Sequence, residues 1–264
     1  MYYTIHGRKI WCTDTGKGFP VLFLHGYLLS SEVWESFTRK LDQDFRVITI
    51  DLPGHGHSEV YSETHSMELI ADIIRELLDT LKIQKVFIAG HSLGGYVTLA
   101  FLELYPQYLS GYCLFHSHPI ADTPEIIEKR KRDISTVMEG KKDMMIPDSI
   151  EKMFASVNLE RYEDQVVRCK KIASAIPGNG IISLLNGMIK RPSRVGVMEE
   201  GRAPCLWILG KMDNYIACGT IQEKVTLPEN ARIAILENSG HLGFIEEAEI
   251  SAEVISEFVK AVNM

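Results

Sequence analysis

Short, almost unbroken apolar runs recur along this chain, separated by longer stretches whose apolar residues fall at helical spacing. The runs are Val21–Leu24, Val47–Ile50, Val86–Ala89, Tyr112–Phe115, Cys205–Leu209 and Ile233–Leu236. A strand with one wet face alternates apolar and polar residues. A strand covered on both faces does not, so runs like these belong in a mostly parallel sheet packed between helices. Met67–Leu81 carries Leu69, Ile70, Ile73, Ile74, Leu77, Leu78 and Leu81 on one helical face. Glu246–Val262 repeats the pattern with Ile250, Val254, Ile255, Phe258 and Val262, and Ile5–Thr13 reads as an opening strand or hairpin. The alternation predicts an α/β fold with a mostly parallel central sheet flanked by helices.

One stretch breaks the alternation. From about Pro119 to Val197 no buried strand is evident, only helical patterns punctuated by Pro124, Pro147, Pro177 and Pro192. The expectation is a core built from residues 1–118 and 199–264, with residues 119–198 inserted as a helical lid. Asp122 and Asp148 each precede a Glu by three residues, as at a helix start. Lys129–Arg132 reads as a solvated helix face. Met138, Met144, Met145, Met153 and Met188 read as core filling, with adaptable pocket lining as the alternative.

The chain's 264 residues suit one large domain, and 45% hydrophobic with 24% charged residues excludes a disordered chain or a disulfide miniprotein. Net charge is −7 and no Lys/Arg block stands out, so nucleic acid is not an expected partner. Five scattered cysteines without C-x-x-C spacing signal neither a zinc site nor a disulfide framework. Met1–Asp14 holds no apolar signal core and no run is long enough to span a bilayer, so a cytoplasmic protein is expected.

The chemistry starts at Gly90-His91-Ser92-Leu93-Gly94, a G-x-S-x-G pattern that follows one apolar run and precedes a helical stretch, Tyr96–Tyr105. In that strand–turn–helix setting the serine is lifted out on a sharp turn, and glycines two residues either side leave room for neighbouring backbone. A serine hydroxyl needs a base, and the base needs an acid to orient it. His241 follows the run Ile233–Leu236, and Asp213 follows Cys205–Leu209. In a parallel sheet both emerge at the carboxyl edge that also carries Ser92. The backbone N–H groups of Leu93 and of Tyr27, in His25-Gly26-Tyr27, are expected to receive an oxyanion.

With these motifs in place the chain resembles the α/β-hydrolase superfamily. The matching segments are Leu24-His25-Gly26, Asp51 to Ser58, Gly90 to Gly95, Gly210 to Asp213 and Gly240-His241, in the superfamily's order and spanning nearly the whole chain. The lid end, Gly187 to Pro192, looks like small lidded carboxylesterases and enol-lactonase-like members. Ile216-Ala217 departs from the pattern, since the superfamily often has a proline soon after the acid. The resemblance implies ester hydrolysis of a small molecule through Ser92, His241 and Asp213, with no cofactor or metal. Carbon–carbon bond hydrolysis, lactone opening and perhydrolysis reuse the same residues, and a ligand-sensing receptor with little turnover is a further alternative. A serine at the elbow argues against dehalogenase or epoxide hydrolase chemistry.

Other residues carry competing readings. Asp122 is the rival acid, or else caps the first lid helix. His55 and His57 pair on paper as metal ligands but lack a third, and read as a structural turn. Asp51 reads as structural and His25 as a histidine that shapes the oxyanion loop. His116 and His118 are the candidates for pocket lining, with an exposed-loop reading equally open.

Overall fold

The computed structural model describes residues 1–263; Met264, the last residue of the expected core, lies outside them. The opening segment is a hairpin: β1 (Tyr2–Ile5) and β2 (Arg8–Gly16) pair antiparallel across the turn His6-Gly7, both at positive φ. Then come β3 (Phe19–Leu24), β4 (Phe45–Ile50), β5 (Val86–His91), β6 (Leu109–Phe115), β7 (Cys205–Gly210) and β8 (Ala231–Leu236). They form one eight-stranded sheet in the order β1-β2-β4-β3-β5-β6-β7-β8, parallel from β4 to β8. Strands β5 and β7 are buried at every position, as continuous apolar runs require. The strand β8 differs. It closes the sheet edge, is only partly covered, and leaves Ile235 43% exposed.

The helices are α1 (Glu35–Thr38), α2 (Met67–Thr80), α3 (Leu93–Leu104), α4 (Pro124–Met138), α5 (Lys142–Glu151), α6 (Glu163–Ala175), α7 (Gly178–Lys190), α8 (Val195–Glu199), α9 (Cys218–Gln222), α10 (Gly243–Glu246) and α11 (Ala248–Asn263). Ser66 caps α2 by accepting the Leu69 N–H at 3.1 Å, and Ile70, Ile73, Ile74, Leu77 and Leu78 turn inward. The helix α3 is buried from Leu93 to Leu102, so it shows no polar face at all. It lies against β5 and α2. The carboxyl-terminal helical pattern is two elements, α10 and α11, because Glu247 leaves helical geometry between them.

Helices α4 to α8 all fall between β6 and β7. Their start differs from the sequence reading. Thr123, not Asp122, caps α4 by accepting the Ile126 N–H, and Pro124 takes the first helical position, where its missing N–H costs nothing. Asp148 starts no helix; with Pro147 it sits inside α5. This insertion is tied to the core on two flanks. From α7, Ser183 accepts the His65 N–H at 2.9 Å through its carbonyl, and its hydroxyl donates to Ser62 O at 2.8 Å. The second tie, at Met153 to Asn158, belongs to the site. Among the described residues no single helix is long and apolar enough to cross a membrane.

Candidate active site

The parallel register sets the site. Leu24 lies opposite Gly90 across β3 and β5, so the residues after each strand emerge side by side. Gly26 then passes so close to the elbow that a Cβ there would lie 2.6 Å from His91 Nδ1 and 3.3 Å from Ser92 Cβ. Ser92 itself is strained, at φ 51° and ψ −112°, and its N–H donates to Phe115 O at 2.9 Å. A Cβ on Gly94 would collide with the carbonyl of Leu24, which is why the turn needs glycine there. Ser92 stands at the N-cap position of α3, yet its hydroxyl makes no cap bond. That is unusual for a serine at a helix start, and it leaves the oxygen free for other work.

Leu93 opens α3, so its N–H has no carbonyl one turn back. Neither it nor the Tyr27 N–H has a protein partner among the described residues. The Tyr27 loop is fixed from behind by His25, whose Nδ1 donates to Gly26 O at 2.8 Å and whose Nε2 accepts the Leu52 N–H at 2.9 Å. Asp51 accepts the N–H groups of Ser31 and His57 at 2.7 and 2.8 Å and thereby ties this loop to the next one. His55 is buried while His57 is exposed, so the two do not meet as metal ligands.

Past β7 and β8, Asp213 and His241 come together: His241 Nδ1 donates to Asp213 Oδ2 at 2.7 Å. A carboxylate only accepts, so Nδ1 carries the proton and Nε2 is the basic nitrogen. The other carboxylate oxygen accepts the N–H groups of Tyr215 and Ile216 at 2.7 and 3.0 Å. Burial works against the charge on Asp213, but His241 and these donors outweigh it and hold the carboxyl below its ordinary value.

His241 is also pinned through its backbone. Its N–H donates to Met153 O at 2.7 Å, and its carbonyl accepts from His91 Nε2 at 2.8 Å. The residue Glu246 locks this arrangement. Its buried carboxylate accepts the Gly240 N–H on one oxygen, and on the other the Ala155 N–H and the Asn158 side-chain amide, at 2.8 to 2.9 Å. Burial nevertheless raises its carboxyl above the ordinary value, against those hydrogen bonds. Nothing in the acidic run Glu246-Glu247 marks one of the two as a bridge between the histidine loop and the insertion.

Ser92, His241, Tyr27 and His118 line one cavity of about 660 Å³. His116 does not, contrary to the expectation for it. Held at φ 46°, it lies buried beneath the acid, with Nδ1 3.6 Å from Asp213 Oδ2 while Nε2 accepts the Gly243 N–H at 3.0 Å. Burial depresses its pKa to about 3, so it stays neutral. Asp122 lies at the cavity too, but pairs with Arg130 Nε and Arg191 Nη1, both at 2.6 Å, and not with a histidine. Of the run Lys129–Arg132, Lys129, Lys131 and Arg132 are exposed as a solvated face requires, while Arg130 turns inward and, with Lys129 at the rim, lines the cavity. The methionines of the insertion divide: Met153 and Met188 line the cavity, whereas Met138 and Met144 are exposed.

Comparison with known proteins gives the family of the fold. Over residues 20–248 the chain matches the model of the alpha/beta hydrolase fold family. It is 28% identical over 260 residues to a Bacillus subtilis (strain 168) protein provisionally named 2-succinyl-6-hydroxy-2,4-cyclohexadiene-1-carboxylate synthase, covering 92% of this chain and 90% of that one. A thermophilic esterase from Thermogutta terrifontis superposes with a TM-score of 0.93 at 25% identity, covering 100% of this chain and 99% of that one. The enol-lactonase from Burkholderia xenovorans LB400 superposes at 0.91 with 19% identity, covering 98% and 100%. With its sheet order, its elbow and a family match over most of its length, the chain belongs to the α/β-hydrolase family.

Proposed function

We propose that the chain is a serine hydrolase that cleaves a small-molecule carboxylic ester through an acyl-enzyme on Ser92. The observation that carries this reading is a strained serine with an unused hydroxyl, in the same cavity as a histidine whose Nδ1 is held by a buried aspartate. Ser92 Oγ attacks the ester carbonyl while His241 Nε2 takes its proton. The carbonyl oxygen becomes an oxyanion and accepts from the N–H groups of Tyr27 and Leu93. Asp213 stabilises the imidazolium that has formed. Collapse breaks the acyl C–O bond, and the alcohol leaves with the proton from His241. Water then gives a proton to His241 and attacks the acyl carbon; the bond from that carbon to Ser92 Oγ breaks, Oγ takes the proton back from His241, and the carboxylic acid leaves. Relatives named as a methyl ester esterase and a monoacylglycerol lipase support ester chemistry.

The test is hydrolysis of p-nitrophenyl esters from acetate to dodecanoate, with Ser92→Ala as control and fluorophosphonate labelling alongside. Ser92-dependent turnover with a clear chain-length optimum is expected, and the optimum sizes the cavity. Labelling that survives in Ser92→Ala would remove the nucleophile from the scheme. Labelling of Ser92 without ester turnover would transfer the case to carbon–carbon, lactone or ligand-sensing chemistry.

A further inference from the structure

The cavity wall across α4 and the Tyr27 loop holds hydrogen-bond donors that no protein acceptor takes. The Tyr27 hydroxyl is buried and has no partner among the described residues. Arg130, whose side chain is 16% exposed, spends Nε and Nη2 on the two oxygens of Asp122 at 2.6 and 3.2 Å, and Nη1 has no partner among the described residues. The Tyr96 hydroxyl is the third. His118 Nδ1 accepts the Ile120 N–H at 3.2 Å, and burial and Arg191 depress the pKa of His118 to about 3. Its ring is therefore neutral with the proton on Nε2, so at 3.3 Å His118 donates to Tyr96 and leaves the tyrosine's own hydrogen unassigned. Tyr27, Tyr96 and Arg130 all line the cavity that contains Ser92.

The charges agree with the donor excess. Lys129 pairs with Asp133, Lys152 with Asp148 and Lys170 with Glu151, each one to one. At Asp122 two guanidinium groups share one carboxylate, and Arg191 is turned away to Met188 O, Ile120 O and the face of the Tyr96 ring. Of the two guanidinium groups, Arg130 is the one that lines the cavity. A buried donor such as the Tyr27 hydroxyl is costly without an acceptor, and a half-buried guanidinium beside it favours one of opposite charge.

We infer that the substrate carries a carboxylate in addition to the ester, and that Arg130 Nη1 with the hydroxyls of Tyr27 and Tyr96 receives it. This rests on the ester-hydrolase reading above and narrows it to acidic esters, of which hemiesters of short dicarboxylic acids are the simplest. A charge-assisted hydrogen bond lost at such a site lowers kcat/KM by roughly 10- to 100-fold.

The experiment compares matched esters differing only in whether the distal carboxyl is free or methylated. One pair is 4-nitrophenyl hemiglutarate and its methyl ester; the other carries the carboxyl on the alcohol, as the acetate of 3-hydroxypropanoic acid and its methyl ester. The expected result is a kcat/KM ratio favouring the free acid by about tenfold or more in one pair. Arg130→Gln should bring that ratio close to one, and Tyr96→Phe should lower it several-fold. If Arg130→Gln fails to fold once Asp122 loses a partner, Tyr96→Phe carries the test, because it changes no charge. A ratio at or below one in both pairs, or a preference that survives both substitutions, overturns the inference while leaving ester hydrolysis intact. No turnover of any ester and no fluorophosphonate labelling of Ser92 overturns both.

Discussion

Asp213 and Asp122 are both buried aspartates at one cavity, and their partners differ in kind. Asp213 is held by two backbone N–H groups and a histidine ring. Asp122 is held by two guanidinium groups. An imidazole can gain a proton during a reaction and lose it again, so the field of Asp213 does most at the moment His241 is charged. Arginine keeps its charge at any ordinary pH, so the field around Asp122 never changes. The first arrangement suits a group in a proton cycle, and the second suits an anchor.

The sharpest way to break this contrast is to neutralise each carboxylate. Asp213→Asn should cut ester turnover by about 10⁴-fold, since the amide favours the wrong histidine tautomer, with the thermal midpoint little changed. Asp122→Asn should do the reverse. Leaving two buried arginines without their anion costs about 3 kcal/mol, read from urea unfolding, while p-nitrophenyl butyrate turnover falls less than about tenfold. If Asp122→Asn abolishes turnover instead, the acid has been assigned to the wrong residue.

Glu246→Gln probes a third buried carboxylate, one that bonds only neutral donors. A glutamine amide has one acceptor oxygen where Glu246 uses two, so the Gly240 or Ala155 N–H meets an N–H₂ group. A loss of about 1 to 3 kcal/mol is expected, together with slower turnover because Gly240 precedes the base. Unchanged kcat in a destabilised variant would show that the bridge holds the insertion but not His241.

The smallest effect is in pH. Burial raises the Asp122 carboxyl, but Arg130 and Arg191 outweigh it and hold it below the ordinary value near 3.9. As pH falls, the unfolded chain takes up this proton first. The stabilisation from Asp122 is therefore complete above about pH 5 and is lost as pH falls through the lower folded value. The urea midpoint of the native chain should exceed that of Asp122→Asn by a constant margin from pH 7 to about 5, and the margin should shrink below about pH 4. A margin that persists undiminished to pH 3 would show that the carboxylate's charge is not what stabilises.

The sheet was legible because burial on two faces writes itself into consecutive residues, as in Val86–Ala89. The elbow was legible because its glycines answer a local backbone demand. What escaped the sequence depends on partners far along the chain. Asp122 and Thr123 are both good capping residues, and only Arg191, at the end of the insertion, shows why Asp122 is used otherwise. Arg130 sits in a basic run whose orientation is set by α4 packing on α7. His116 turns inward because its backbone adopts φ 46°, for which a histidine offers no signal.

Because Met153 holds the N–H of His241, and Glu246 fastens the same stretch of insertion to Gly240, the proton acceptor of the proposed reaction is tied to the roof above it. Raising that roof on the Met153 flank would unseat the base, so an enzyme opened there would be chemically idle. A substrate too bulky to slip in beneath a seated roof would bind only the opened form and still wait for the base to return. Size discrimination in this protein should accordingly register in kcat as well as in KM.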